Sequence, residues 1–203
     1  KRFDHYDLMI DRATPLVPRH LRLPITERLA VNGDVLIPLA EEQIAGLAKA
    51  INDEGCKSVA IGFLHAYAHP KHERRVAELL KPLLPSDVTI CLSSEVAPEI
   101  REYERFSTTV ANAYVRPLMA GYLHRLRDGL AKLGLDAPLY LMMSGGGLTT
   151  LETAARFPIR LVESGPAGGA ILASRMAQGF KLPEVLSFEM GRTNATACFA
   201  SHA

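Results

Sequence analysis

The sequence predicts an α/β chain, on three observations. Short, continuous runs of β-prone apolar residues alternate with segments whose apolar residues recur every three or four positions. Strand, helix and strand follow one another over residues 58–92, about the span of a βαβ unit, whose crossover is nearly always right-handed. Three apolar runs in the last third end in small residues: MMSGGG, LVESGPAGG and FEMGRTN. With 203 residues, 48% hydrophobic and 22% charged, the chain has material for one large core or two small ones, which excludes disorder and fibres.

The first 40 residues are dense in proline (Pro15, Pro18, Pro24, Pro38), and their one regular signal is ERLAVNGDVLIPL. Its Asn32-Gly33 pair predicts a β-hairpin closed by a two-residue type I′ turn, which needs positive φ at both positions. Glu41 and Glu42 then open a helix carrying Ile44, Leu47, Ala48 and Ile51, ending at Gly55. SVAIGFL (58–64) reads as a strand buried on both faces, His72 to Leu84 as a helix with Val76, Leu79, Leu80 and Leu83 on one side, and VTICL (88–92) as a second strand. A long helix is predicted from Ser107 to Leu133, its core stripe made of Val110, Ala113, Tyr114, Leu118, Tyr122, Leu126 and Leu130. Pro117 kinks rather than ends it. LYLMM (139–143), IRLVE (159–163) and VLSFEM (185–190) read as strands, TACFA (196–200) as another β-prone run, and residues 151–156 and 164–176 as helices. The expected organisation is a proline-rich lead-in with a hairpin (1–40), an α/β part with the long helix (41–135), and a glycine-loop region (136–203).

Formal charge is +1, from 23 Lys+Arg against 22 Asp+Glu, and aromatic content is 6%, so neither nucleic acid nor an anionic membrane is an expected partner. No apolar run approaches the roughly 20 residues of a membrane span. The opening KRFDHYDLMIDR has acids where a secretion signal carries its apolar stretch, so the cytoplasm is the expected location. Cys56, Cys91 and Cys198 are far apart with no metal or redox spacing, and read as reduced core residues.

Glycine turns after apolar strands let the backbone approach an anion, and a following helix adds the donors and dipole of its N-terminus. In open α/β sheets ligands gather at the carboxyl ends of strands, so three such loops point to a phosphate-bearing ligand. None is a Walker loop or a Gly-x-Gly-x-x-Gly turn. HAYAHPKHE holds His65, His69 and His72 at metal-like spacing, but Pro70 opposes one helix through all three and no fourth ligand is evident. EVAPEIREYER packs Glu95, Glu99, Arg101, Glu102, Glu104 and Arg105 into eleven residues. Such a cluster lines a proton-transfer site or forms surface ion pairs of little consequence, and Glu95, Glu102 and Arg105 are the catalytic candidates within it.

In order along the chain, VAIGFLHAYAHPKHERRVAELL (59–80), SSEVAPEIREYERFSTTVANAYVRPLM (93–119), LYLMMSGGGL (139–148), LVESGPAGGA (161–170) and SFEMGRTN (187–194) resemble the hydantoinase A / 5-oxoprolinase family, which includes the ATP-using subunits of acetone and acetophenone carboxylases. The resemblance implies an actin-like ATPase fold of two RNase-H-like lobes, here incomplete. The family's opening Asp-x-Gly-Gly-Thr-x-x-Asp hairpin is absent, so an internal piece is expected. It implies ATP and Mg²⁺ as cofactors, a cyclic amide as substrate, and a second subunit or homo-oligomer as partner. It also implies a nucleotide or substrate cleft lined by Gly145, Gly146, Gly147, Ser164, Gly165, Gly168, Gly169, Glu189, Gly191 and Thr193.

The implied activity is ATP-dependent cyclic-amide hydrolysis through a phosphorylated ring carbonyl. The alternatives are a ketone-carboxylase subunit and a non-catalytic module with a degenerate phosphate loop. The last is raised by three departures: the family reads Phe-Asp-Met-Gly-Gly-Thr where this chain has Phe188-Glu189-Met190-Gly191-Arg192-Thr193, and Thr196 stands where the family has Asp or Lys. Arg192 either blocks the loop or serves as a phosphate ligand. An incomplete lobe is also expected to expose apolar surface and to self-associate.

Overall fold

In the computed structural model, which describes Met9 and residues 14–135, 137–191 and 195–201, the chain divides into two units. The first comprises Lys1–Cys56, Ala60–Ser86 and Leu92–Ala111; the second comprises Lys57–Val59, Asp87–Cys91 and Asn112–Ala203.

The first unit opens with the predicted hairpin, β1 (Arg28–Leu29) antiparallel to β2 (Val35–Ile37). Its turn is not type I′. Gly33 has φ +92 but Asn32 does not lie at positive φ, and Gly33 N–H bonds Ala30 O while Ala30 N–H bonds Asp34 O. This is a three-residue loop in which one glycine takes the left-handed conformation, so only one residue needs that freedom. A 3-10 turn, Glu41–Gln43, leads into α1 (Ile44–Asp53), whose Ile44, Ala48 and Ile51 are buried at spacings of four and three. Gly55 at φ +61 ends it, with Cys56 N–H returning to Ile51 O as in a Schellman motif. Helix α2 (Lys71–Leu80) buries Val76 and Leu80, whereas predicted Leu83 is exposed.

Strands β3 (Ser58–Ile61) and β4 (Thr89–Leu92) pair with each other. The predicted strand 58–64 stops three residues early because side chains claim its backbone beyond Gly62: the Glu73 carboxylate accepts Phe63 N–H, and Arg105 donates to Phe63 O. After the single turn α3 (Ser93–Val96) comes α4 (Glu102–Lys132), which begins five residues before the predicted Ser107 and runs unbroken through Pro117. Glu102 and Glu104 in its first turn complement the helix dipole there.

The predicted apolar stripe of α4 is the main error of the sequence reading. Tyr114 and Leu118 are 83% and 73% exposed and Tyr122 is exposed too, while Arg105, Thr109, Asn112, Ala113 and Leu123 are the buried positions. Burial follows hydrogen-bonded polar side chains at spacings of four and three, a pattern that apolarity alone does not reveal.

In the second unit, Leu123, Leu151, Ala154 and Ala155 form a core against which Ala120, Leu139, Leu141 and Leu161 pack. Strands β5 (Tyr140–Met142) and β6 (Leu148–Thr150) are antiparallel, so Ser144-Gly145-Gly146-Gly147 is a hairpin turn rather than a strand-to-helix loop. Thr150 caps α5 (Leu151–Arg156), its Oγ1 accepting Thr153 N–H at 3.3 Å. The strand expected at 159–163 is instead a 3-10 turn, Pro158–Leu161. Buried Asn112 imposes it, accepting Ile159 N–H and donating to Arg156 O, each at 3.2 Å.

Glu163, at φ +62, turns the chain into α6 (Ser164–Gly179). Strands β7 (Glu184–Met190) and β8 (Ala195–Ser201) then form an antiparallel pair. Leu186, Phe188 and Met190 of β7 are exposed, as is Phe199 of β8. Of the cysteines only Cys91 is fully buried; Cys56 and Cys198 are half-buried. Among the described residues no helix is long and apolar enough to cross a membrane.

Candidate functional site

The second unit places helix α6 against the β7–β8 hairpin. Strand pleating puts alternate residues on one face, so Ser187 and Glu189 of β7 share a side, and the register sets them opposite Cys198 and Thr196 of β8. Together with Gly165, Pro166 and Gly169 of α6 these residues line a cleft of about 280 Å³, in which Glu189 is the one charged side chain among the described lining residues. The glycines matter because a Cβ on Gly165 would stand 3.2 Å from Glu189 Oε1, and one on Gly169 would stand 3.4 Å from Oε2. The carboxylate therefore lies against bare helix backbone.

The triglycine turn is next to the same helix. A Cβ on Gly146, itself at φ +83, would meet Ile171 Cδ1 at 2.8 Å, and one on Gly168 would stand 3.8 Å from Met142 Cγ. Part of the turn's donor capacity is spent within the protein: Gly146 N–H bonds Met143 O, Met143 N–H bonds Gly147 O, and Ser144 gives both N–H and Oγ–H to Arg160 O. The structure thus brings Gly165, Gly169 and Glu189 into one cleft. Gly146 and Gly168 lie at the packing of the turn and β5 on α6, Ser164 is the first residue of α6, and Gly191 is the last described residue after β7. Arg192 and Thr193, with Asn194, lie outside the described residues.

The acid–base segment forms a different environment, in the first unit. Arg105 is 1% exposed and its guanidinium is surrounded by acceptors: Ser93 Oγ at 3.2 Å, Phe63 O at 2.9 Å, Ile100 O at 3.3 Å and Glu99 O. Ser93 Oγ in turn donates to Glu73, a fully buried carboxylate that also accepts Phe63 N–H at 3.1 Å and Ser94 N–H at 2.9 Å. The planar guanidinium lies 5.0 Å from the centroid of Phe106 and 5.5 Å from that of Tyr67, within cation–π range. Glu102 is exposed at the start of α4 and Glu95 half-buried in α3; the three candidates belong to the first unit and Glu189 to the second.

The histidines are also separately engaged. His69 Nε2 is 3.0 Å from Val31 O, and His72 Nδ1 is 2.7 Å from Glu27 Oε2, while His65 sits at φ +61 in the turn after β3. Among the described residues no group of three or more His, Cys, Asp or Glu is placed to hold a metal ion.

Sequence reasoning missed Glu73, Ser93 and Asn112, whose importance is set by burial. It also missed Ser187 and Cys198 as cleft residues, although the alternation in VLSFEM and a hairpin register carry that signal.

Comparison with known proteins places this geometry in a family. Residues 105–202 match the hydantoinase/oxoprolinase model and residues 1–84 match the hydantoinase/oxoprolinase N-terminal region. The caprolactamase subunit alpha of Pseudomonas jessenii is 36% identical over 93% of this chain and 27% of its own length, and the 5-oxoprolinase of Saccharomyces cerevisiae is 35% identical over 76% of this chain and 12% of its own. The acetone carboxylase beta subunit of Xanthobacter autotrophicus is 26% identical over 89% of this chain and 25% of its own. Among solved structures, the ATP-dependent caprolactamase of Pseudomonas jessenii matches with TM-score 0.80 at 34% identity, over 96% of this chain and 28% of that one. Nucleotide-free acetone carboxylase matches with TM-score 0.83 at 24% identity, over 94% and 27%, a likeness of fold. The chain thus spans about a quarter of the caprolactamase and carboxylase chains it matches. It belongs to the hydantoinase/oxoprolinase family.

Proposed function

We propose that this chain is part of an ATP-dependent cyclic-amide hydrolase that activates a ring carbonyl by phosphorylation. The observation that carries the reading is the similarity to relatives named for lactams, the caprolactamase subunit alpha at 36% identity and 5-oxoprolinases at 30–35%, against 26–29% for the ketone carboxylase subunits. On this reading the fold is an internal part of an actin-like ATPase, and the cleft beside α6 faces the phosphates.

The chemistry follows from amide resonance, which protects an unstrained ring from water. The carbonyl oxygen attacks the γ-phosphorus of ATP and ADP leaves. Water then adds to the activated carbon, the ring C–N bond breaks with a proton going to nitrogen, and phosphate departs. The sum is lactam, ATP and water giving amino acid, ADP and phosphate. The protein's part is positioning and electrostatic stabilisation.

The cleft's residues fit a phosphate group in part. The Thr196 side chain offers a hydroxyl donor, whereas the Ser187 hydroxyl is donated to Cys198 O at 3.4 Å, and the backbone bared by Gly165 and Gly169 faces the Glu189 carboxylate, which repels an anion unless a cation such as Mg²⁺ accompanies it. A second subunit is the proposed partner, since the caprolactamase and carboxylase relatives are themselves named as subunits; the exposed apolar side chains of β7 and β8 are available to such contacts.

The test is ATP cleavage by the full-length protein offered a lactam or hydantoin. The reading predicts one phosphate released per ring opened. Cleavage that instead requires a ketone and bicarbonate would replace it with the carboxylase alternative. The isolated 203 residues are predicted to show no turnover in the usual range of about 1–10³ per second.

A further inference from the structure

We propose that Gly165 and Gly169 are positioning residues that seat the Glu189 carboxylate on α6, and that the length of glutamate is matched to that seat. The inference rests on the reading of the cleft as the phosphate-facing site. Residues four apart on a helix stack on one face, so glycine at both positions leaves a strip of uncovered backbone on α6. The carboxylate straddles this strip, with Oε1 facing Gly165 and Oε2 facing Gly169, at 3.2 and 3.4 Å from where their Cβ atoms would be. The first distance is shorter than ordinary contact and the second is an ordinary contact, so an alanine at 165 requires the carboxylate to shift by a few tenths of an ångström and one at 169 only touches it.

The acid's reach completes the fit. Aspartate, which the family resemblance implies at this position, is shorter by one carbon–carbon bond of about 1.5 Å and would withdraw both oxygens from the strip. The glycine pair and the longer acid therefore work as one device. Because Glu189 is the one charged side chain among the described lining residues, the seat sets where negative charge stands in the cleft, and hence where a cationic or hydrogen-bond-donating part of the ligand is held.

The sign of a single substitution separates this from an ordinary helical glycine. Neither Gly165 nor Gly169 lies at positive φ, and at such a helical position alanine normally stabilises. The seat predicts the reverse. Thermal unfolding of the 203-residue chain is compared for wild type, Gly165→Ala, Glu189→Asp and the double variant, with the Glu189 Cδ resonance followed by carbon-13 NMR and assigned through Glu189→Gln. Gly165→Ala is expected to lower the melting temperature and move the Glu189 resonance, and Glu189→Asp in the same chain to recover more than half of the drop. A rise in melting temperature on Gly165→Ala, additive effects in the double variant, or a stationary Glu189 resonance would overturn the seat. Repeating the series with Mg-ATP in the full-length protein, since these 203 residues lack the family's opening phosphate hairpin, addresses the function separately. Coupling between 165 and 189 with no nucleotide effect in any variant leaves the seat standing and removes the phosphate-facing reading. A nucleotide-induced shift that shrinks in Gly165→Ala and returns in the double variant supports both.

Discussion

Two charge-bearing regions of this molecule are built on opposite principles. In the first unit, Glu73 and Arg105 are withdrawn from water and joined through the Ser93 hydroxyl, with backbone groups of Phe63, Ser94, Glu99 and Ile100 filling out the network. In the second, Glu189 stands exposed in a cleft, against helix backbone stripped of side chains. These charges are buried and bonded to one another through Ser93 and to the backbone, so they hold the segment after β3 and the segment before α4. The cleft keeps a charge facing outward. The more charge-dense sequence is thus the structural one, and the glycine-rich sequence is the one suited to a ligand.

The largest effect that could break this contrast lies at Arg105. Replacing it with alanine strands a buried carboxylate and several carbonyls, and is expected to cost about 3–5 kcal/mol in urea denaturation, a large part of the about 5–15 kcal/mol available to a typical domain. A variant as stable as wild type would mean that water can reach the network and that its charges are available after all.

Next comes Asn112. Its side chain holds the 3-10 turn Pro158–Leu161, whose Arg160 carbonyl in turn anchors Ser144 at the triglycine hairpin. Asn112→Ala should cost about 1–3 kcal/mol through the unsatisfied Ile159 N–H and Arg156 carbonyl. Hydrogen exchange should then quicken at Ser144 more than at Phe63, which sharpens the separation of the two regions.

The smallest effect is at the surface, where neither region is involved. The Lys57 ammonium, 3.0 Å from Asp87, holds that carboxyl below its usual range by hydrogen bonding and charge, and Arg75 does the same for Glu41. A depressed pKa stabilises the folded state above the ordinary carboxylate range, and the contribution is lost as pH falls through the lowered value. Both groups are exposed, so Lys57→Ala should flatten only the acid limb of the stability profile, and added salt should mimic it.

How much of this was legible beforehand depends on where each signal resides. Elements whose apolar residues face a core, such as α1 with Ile44, Ala48 and Ile51, were readable because hydrophobic period and burial coincide. So was the β7–β8 hairpin. On α4 they part company: Arg105, Thr109 and Asn112 are buried through hydrogen bonds, while Tyr114 and Leu118 face outward. The 159–163 segment has β-prone residues, yet Asn112, far away in sequence, fixes it as a turn. The cleft was legible in its glycines and in Glu189, which the resemblance names, whereas the contact of that carboxylate with Gly165 and Gly169 emerges only from three-dimensional packing.

The most direct test of the contrast is a titration of the isotopically labelled full-length protein with Mg-ATP, read by two-dimensional NMR at Gly165, Gly169, Ser187 and Glu189 on one side and at Phe63, Ser93 and Arg105 on the other. The account predicts saturable shifts in the first group with the second unmoved. Shifts centred on Ser93 and Arg105, or none at the cleft up to millimolar nucleotide, would contradict it.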